Sequence, residues 1–204
     1  MNRKASFLFS LLLLSFTAVG IQAHAATHPV ATTPRGAVET IIAQAKELNN
    51  PAVRAQHVKT IESLVDFHVL AEEALGDLTH KATPAQRQEI RRLLKGIITK
   101  TVYPEAPKFF EDVSIAYTSE RQAGQKVHIT SVVTKGDRRS TVEYWLARSG
   151  DTYRVVDLAV EGERWVENVH DQFREVVQKQ GVSGLIARMK KRLAQLEEPK
   201  KKKS

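Results

Sequence analysis

The chain of 204 residues contains no cysteine. That absence excludes thiol nucleophiles, zinc sites that need thiolate ligands, and a lipid anchor attached to an N-terminal cysteine. It also excludes disulfides, so the fold must be stabilised by an ordinary apolar core.

The sequence also lacks the motifs that usually carry catalysis or metal binding. It contains no glycine-rich phosphate loop, no nucleophile elbow and no calcium-binding loop. Of its seven histidines, His24 and His28 fall in the predicted signal peptide and leader, and the remaining five are not paired at the close spacing of zinc sites. We therefore predict no catalytic residues, no metal and no cofactor. Glu161, at the exit of the last predicted strand, is the carboxylate to test first as an acid or base, although capping or loop organisation is favoured. His128 alternates with apolar neighbours, and we expect a surface histidine or one with its hydrogen bonds satisfied.

The N-terminus has the pattern of a secretory signal peptide over residues 1–25. Arg3 and Lys4 precede an apolar run from Phe7 to Leu14, and small residues two positions apart follow at Ala23 and Ala25. The run is shorter than the roughly 20 apolar residues of a membrane span. We predict an exported, unanchored protein located in the periplasm.

The formal net charge of +8 is concentrated at the two ends of the chain. Without Arg3, Lys4 and the lysines of 200–203, 25 basic residues face 23 acidic ones. This balance does not favour nucleic acid as a partner. Residues 199–204 are interpreted as a disordered basic tail with at most weak affinity for anionic membranes.

The remaining chain is predicted to be one domain over residues 35–198, preceded by a flexible leader over 26–34. Helical periodicity starts near Arg35, Asp66 is a predicted N-cap, and Thr83 with Pro84 opens a long helix. From Val113 the period changes to two for roughly 45 residues, which indicates four strands in an antiparallel meander. Two C-terminal helices follow, separated at Gln180-Gly181. The predicted fold class is α+β, with helices packed on one face of the sheet.

A set of apolar residues on these strands and on the long helix is predicted to face inward. Periodicity alone leaves open whether they form a filled core or line a cavity for acyl chains. The candidate lining residues are Val113, Ile115, Tyr117, Ile129, Val142, Tyr144, Leu146, Val155, Leu94 and Ile98.

Several short segments, taken in order, resemble the periplasmic toluene-tolerance family, the MlaC-type component of intermembrane phospholipid transport. The segments are Asp66-Phe67, residues 69–71, 82–87 (Ala-Thr-Pro-Ala-Gln-Arg), 153–158 (Tyr-Arg-Val-Val-Asp-Leu), Glu161-Gly162 and 180–185 (Gln-Gly-Val-Ser-Gly-Leu). The likeness spans about Arg35 to Leu196.

The resemblance implies a monomeric carrier of a glycerophospholipid. Its implied partners are an outer-membrane lipoprotein–porin complex and an inner-membrane ABC transporter complex with its substrate-binding subunit. The acyl chains would lie in an apolar cavity between sheet and helices. Two alternatives remain at this point: a small-molecule enzyme on a cone-shaped, ketosteroid-isomerase-like α+β scaffold, and an envelope interaction protein without a ligand.

Overall fold

The computed structural model describes residues 31–198. The predicted signal peptide, most of the predicted leader and the predicted basic tail lie outside these residues. Packed structure begins before Arg35, because Ala31 is buried and Thr33 caps the first helix.

Five α-helices precede the sheet and a long one follows it. They are α1 (Pro34–Lys46), α2 (Arg54–Leu64), α3 (Phe67–Leu75), α4 (Pro84–Val102), α5 (Ala106–Phe109) and α6 (Trp165–Glu197), with a 3₁₀ helix at Gly76–Lys81. The Asp66 carboxylate accepts hydrogen bonds from His68 N and Val69 N at the start of α3. Thr83 and Gln86 form a reciprocal capping box at the start of α4. The predicted starts of these two helices are therefore confirmed.

The sheet is an antiparallel meander with its strands in sequence order. Its strands are β1 (Val113–Ala123), β2 (Lys126–Lys135), β3 (Arg138–Ser149), β4 (Thr152–Val160) and β5 (Glu163–Arg164). The predicted α+β fold class is confirmed, and the two-residue β5 adds one strand to the four predicted.

Two irregularities in strand pairing change which side chains share a face. One lies in β1 between Tyr117 and Ser119, and the other lies in β4, where Trp145 pairs with Asp157 but Leu146 pairs with Val155. An extra residue in one strand reverses the alternation beyond it. Strict alternation would therefore assign the wrong face to every residue on one side of each bulge.

The helices take part in three apolar clusters, of which the smallest lies between α1, α2 and α5 and contains Leu48 and Ile61. In the first cluster, α1 and the end of α2 pack on one face of the sheet, so that Val38, Ile42 and Leu64 meet residues of β2, β3 and β4. The second cluster is built from α3, the 3₁₀ helix, α4 and α6, and it contains no strand residue. Gly181 interrupts α6 with φ 67° and ψ 178°, where the sequence predicts the break between two C-terminal helices.

Candidate functional site

Six of the ten candidate lining residues lie together on the face of the sheet that α1 covers. Ile129, Leu146 and Val155 are buried there with Val38 and Ile42 of α1. The other three members, packed against them and partly buried, are Ile115, Tyr117 and Tyr144.

The other four residues are divided between two places. Val113 and Val142 lie on the same sheet face as the first six, but each is only half-buried. Leu94 and Ile98 belong to the helical cluster of α3, α4 and α6. The structure therefore brings eight strand residues to one face and positions the two α4 residues elsewhere.

The sheet face is open beyond the part that α1 covers. Val160 is the cross-strand partner of Val142, and Leu158 is the partner of Tyr144, so all four side chains share this face. Leu158 is 38% exposed and Val160 is 45% exposed. We call Val142, Leu158 and Val160 the open apolar face. Adjacent exposed apolar side chains of this kind are typical of a surface that binds an apolar partner.

The short helix α5 lies at the same end of the sheet. The Lys135 ammonium at the end of β2 donates hydrogen bonds to the carbonyl oxygens of Lys108 and Phe109, at 2.7 and 2.9 Å. Phe110 packs toward the sheet cluster, whereas Phe109 is 55% exposed. Phe109 is therefore an exposed aromatic residue near the end of β2.

Leu158, Val160 and Phe109 were missed by the sequence reasoning. The bulge in β4 hides Leu158 and Val160, because strict alternation from Val155 would direct them to the opposite side. Phe109 follows a proline and has no periodic neighbours. The only signal for it is its position at the junction of helix and strand.

Two surface grooves lie outside the sheet face, and most of the residues that line them are polar or charged. One has a volume of about 1060 Å³ and lies between α3, the 3₁₀ helix and the start of α6, where Glu73, Arg164 and His170 line it. The second, of about 550 Å³, lies between the start of α3 and α4. Neither groove contains any of the ten candidate lining residues.

Glu161 organises the end of β4. Its carboxylate oxygen accepts a 2.7 Å hydrogen bond from Thr141 N, and its own N–H donates to Thr141 O at 2.9 Å. Its φ of 53° marks a tight turn. These bonds agree with the interpretation of Glu161 as a loop residue.

Asp157 is fully buried and anchors the start of α6. Arg164 donates to its carboxylate through Nε at 2.7 Å and Nη2 at 2.6 Å, and Val166 N donates at 3.2 Å. Burial raises the pKa of Asp157, while the bonds from Val166 and Arg164 act in the opposite direction. With its oxygens satisfied, this carboxylate has a structural role.

His128 is buried rather than on the surface, with 4% of its area exposed. Arg121 Nε donates to its Nδ1 at 3.2 Å, its Nε2 lies 2.9 Å from Glu143 Oε1, and its ring packs on Trp145. The expectation of a surface histidine is wrong, and only Nδ1 of the buried ring has a hydrogen bond of regular geometry, because Nε2 lies near the Glu143 carboxylate without forming one. Across residues 31–198, no group of three or more histidine, aspartate or glutamate side chains is arranged to hold a metal ion.

None of the helices between Ala31 and Glu198 combines the length and apolar character that a membrane crossing requires.

Comparison with known proteins agrees with the family resemblance of the sequence. A solved structure of a phospholipid-binding protein from Ralstonia solanacearum, in complex with a phospholipid, superposes with a TM-score of 0.66 at 26% sequence identity. The alignment covers 80% of this chain and 96% of that one. No curated protein matches the sequence significantly. The family model described as MlaC protein matches residues 35–191, and the chain therefore belongs to the MlaC family.

Proposed function

We propose that the protein is a carrier that binds the acyl chains of a glycerophospholipid against the open apolar face of its sheet. The observation that carries the proposal is the pair Leu158 and Val160, which are exposed beside the half-buried Val142 and next to the part of the sheet face that α1 covers. Membership of the MlaC family and the phospholipid bound by the Ralstonia protein support it. They favour a binding protein over an enzyme.

The physical requirement for such a carrier is modest. Each methylene that leaves water contributes about 0.8 kcal/mol, and a two-chain lipid has many methylenes to cover. The open apolar face can shield some of these methylenes from water. Chains that insert further would have to displace α1 from Ile129 and Leu146, or move α5 at Phe110. For the candidate residues that α1 covers, contact with acyl chains therefore remains a prediction that requires such a movement.

The location and partners of the carrier are part of the same proposal. The predicted signal peptide supports export to the periplasm, where a soluble carrier would pass lipid between the outer-membrane lipoprotein–porin complex and the inner-membrane ABC transporter complex. No energy source is required within the carrier itself, because binding and release need only a partner with a higher affinity for the lipid.

The proposal is tested by extracting and identifying lipids from protein purified under native conditions from the periplasmic fraction. Mass spectrometry of the extract should find close to one phospholipid per chain. An empty protein that also takes up no lipid from vesicles would support the interaction protein without a ligand. Turnover of an added small molecule would support the enzyme.

A variant pair localises the site. Val142→Arg directs a charge into the open apolar face and should lower the lipid content at least two-fold. Val132→Arg is the control, because Val132 is also half-buried but lies on the neighbouring strand β2 and faces the opposite side of the sheet. Circular dichroism must show both variants folded. Equal lipid content in the two would contradict the site. Leu146 is unsuited to this test, because it is fully buried and a charge there would unfold the protein.

A further inference from the structure

The bulge in β1 brings charged and hydroxyl groups onto the apolar face of the sheet. Tyr117 pairs with Ser131, and after the bulge Glu120 pairs with Ile129. Both partners in β2 face α1, so Tyr117 and Glu120 share that face although they are three residues apart. Without the bulge, the face would carry Ser119 and Arg121 instead.

Arg35 in the first turn of α1 reaches the same place. Its guanidinium carbon lies 4.5 Å from the centre of the Tyr117 ring, and its Nε donates a 2.7 Å hydrogen bond to Glu39 Oε1. This distance is that of a cation–π contact between the guanidinium and the ring. Hydrogen bonding to Glu39 raises the pKa of Arg35, and the negative charge of Glu120 adds to that rise. Glu39 contacts Arg35 directly, and Glu120 lies on the same sheet face as the Tyr117 ring that Arg35 approaches.

The hydroxyl groups of the neighbouring strands complete this group. Burial raises the pKa of Tyr144, and a hydrogen bond with the Ser131 hydroxyl opposes that rise. Burial likewise raises the pKa of Tyr117, with Tyr144, Glu39 and Arg35 all close enough to contribute. The resulting polar cluster consists of Arg35, Glu39, Tyr117, Glu120, Ser131 and Tyr144.

The polar cluster borders the open apolar face. Tyr117, Ser131, Val142 and Val160 are successive cross-strand partners in one row from β1 to β4. Tyr144 is in the adjacent row, next to Leu158. A molecule whose apolar part lies on Val142 and Val160 would therefore have its polar end within reach of Arg35.

We infer that the polar cluster receives the headgroup of a zwitterionic glycerophospholipid, such as phosphatidylethanolamine. The phosphate lies toward Arg35 and the tyrosine hydroxyls, and the ammonium lies toward Glu39 and Glu120. The inference rests on the proposed function and adds a headgroup preference to it.

The charges of the cluster are the reason for this preference. One guanidinium and two carboxylates carry a net charge of −1. A headgroup with only a phosphate gains from Arg35 but is repelled by Glu39 and Glu120. A headgroup that also carries an ammonium can pair its phosphate with Arg35 and its ammonium with a carboxylate, because a two-carbon link separates its two charges.

The test uses mature protein freed of lipid and incubated with vesicles of equal parts phosphatidylethanolamine and phosphatidylglycerol. Mass spectrometry of the reisolated protein measures the ratio of the two lipids bound. We expect about a three-fold excess of phosphatidylethanolamine for the wild type, the size that an exposed ion pair can supply. Glu39→Gln should bring the ratio close to one. Arg35→Gln should lower the total amount of both lipids.

The control variants remove equivalent ion pairs away from the sheet. Glu175→Gln breaks the exposed pair with Lys179, and Arg174→Gln breaks the one with Asp171, both within α6. Neither should change the ratio or the total. A wild-type ratio of one, or a ratio that Glu39→Gln leaves unchanged, would overturn the headgroup inference while leaving the carrier proposal intact. A wild type that takes up no lipid would instead refute the carrier proposal.

Discussion

Two apolar clusters of this protein are built from the same kinds of residue but are covered to different extents. The helical cluster is closed, with Ile90, Leu93 and Leu94 of α4 at 0%, 1% and 5% exposure against α3 and α6. The sheet cluster is closed where α1 lies on it, and on the same sheet face Leu158 and Val160 are 38% and 45% exposed. Composition and periodicity therefore do not distinguish a core from a binding surface. What distinguishes them is whether another element lies above the residue.

The largest effect is expected in the closed cluster. Leu93→Ala should lower the free energy of unfolding by about 3 kcal/mol, because it removes a fully buried side chain and leaves a cavity. Val142→Ala on the open apolar face should cost less than about 1 kcal/mol, because that side chain is half-exposed. Urea denaturation of lipid-free protein measures both values, since bound lipid would itself add stability. Equal losses would remove the distinction between the clusters.

A charge at the rim of the open apolar face should affect lipid binding more than stability. Val160→Arg is expected to reduce lipid uptake from vesicles at least two-fold, while the free energy of unfolding changes by about 0.5 kcal/mol or less. Val53→Arg, at a valine of similar exposure before α2, should leave uptake unchanged. Phosphate analysis of the reisolated protein gives the lipid content. If Val53→Arg reduced uptake equally, non-specific charge effects would explain the result.

The smallest effect concerns the ion pairs that join the closed cluster at its surface. Hydrogen bonds from Arg92 and Lys190 lower the pKa of Glu89 to about 2. A carboxyl group whose pKa is lowered in the folded state stabilises the fold at pH values above its ordinary pKa of about 4.3. This stabilisation is lost as the pH falls toward 2. The free energy of unfolding of Glu89→Gln should therefore decrease slightly less between about pH 4.3 and pH 2 than that of the wild type. Lys190→Gln, which removes only the contact between α4 and α6, should be intermediate. Parallel pH curves for all three proteins would contradict this role.

Much of the secondary structure follows from local signals in the sequence. The Asp66 cap, the Thr83-Pro84 helix start and the break at Gly181 depend on neighbours within a few residues, and each lies where the sequence predicts it. Strands β2, β3 and β4 begin and end within one residue of their predicted limits, because glycine turns bound them. Strand β1 begins at the predicted Val113 but continues to Ala123, five residues beyond the predicted alternation.

The residues that make up the candidate site were harder to predict from the sequence. Alternation assigned Ile115, Ile129 and Leu146 to the correct face, but it could not reveal the bulges that direct Glu120 and Leu158 there. Helical spacing marked Leu94 and Ile98 as inward-facing, yet it could not say which cluster they face. The approach of Arg35 to Tyr117 joins residues more than 80 positions apart, and no local pattern contains it.

The sequence by itself determined the order of the elements, the meander pairing and the apolar stripes of β2 and β3, because these depend on backbone propensity and on side chains close along the chain. Only the tertiary structure decided which part of the apolar sheet face is covered by α1 and which part stays open. That choice depends on the crossing of α1 over β2, β3 and β4 and on two strand bulges. These features arise from packing between distant segments, and packing energies are not encoded in the periodicity of any one of them.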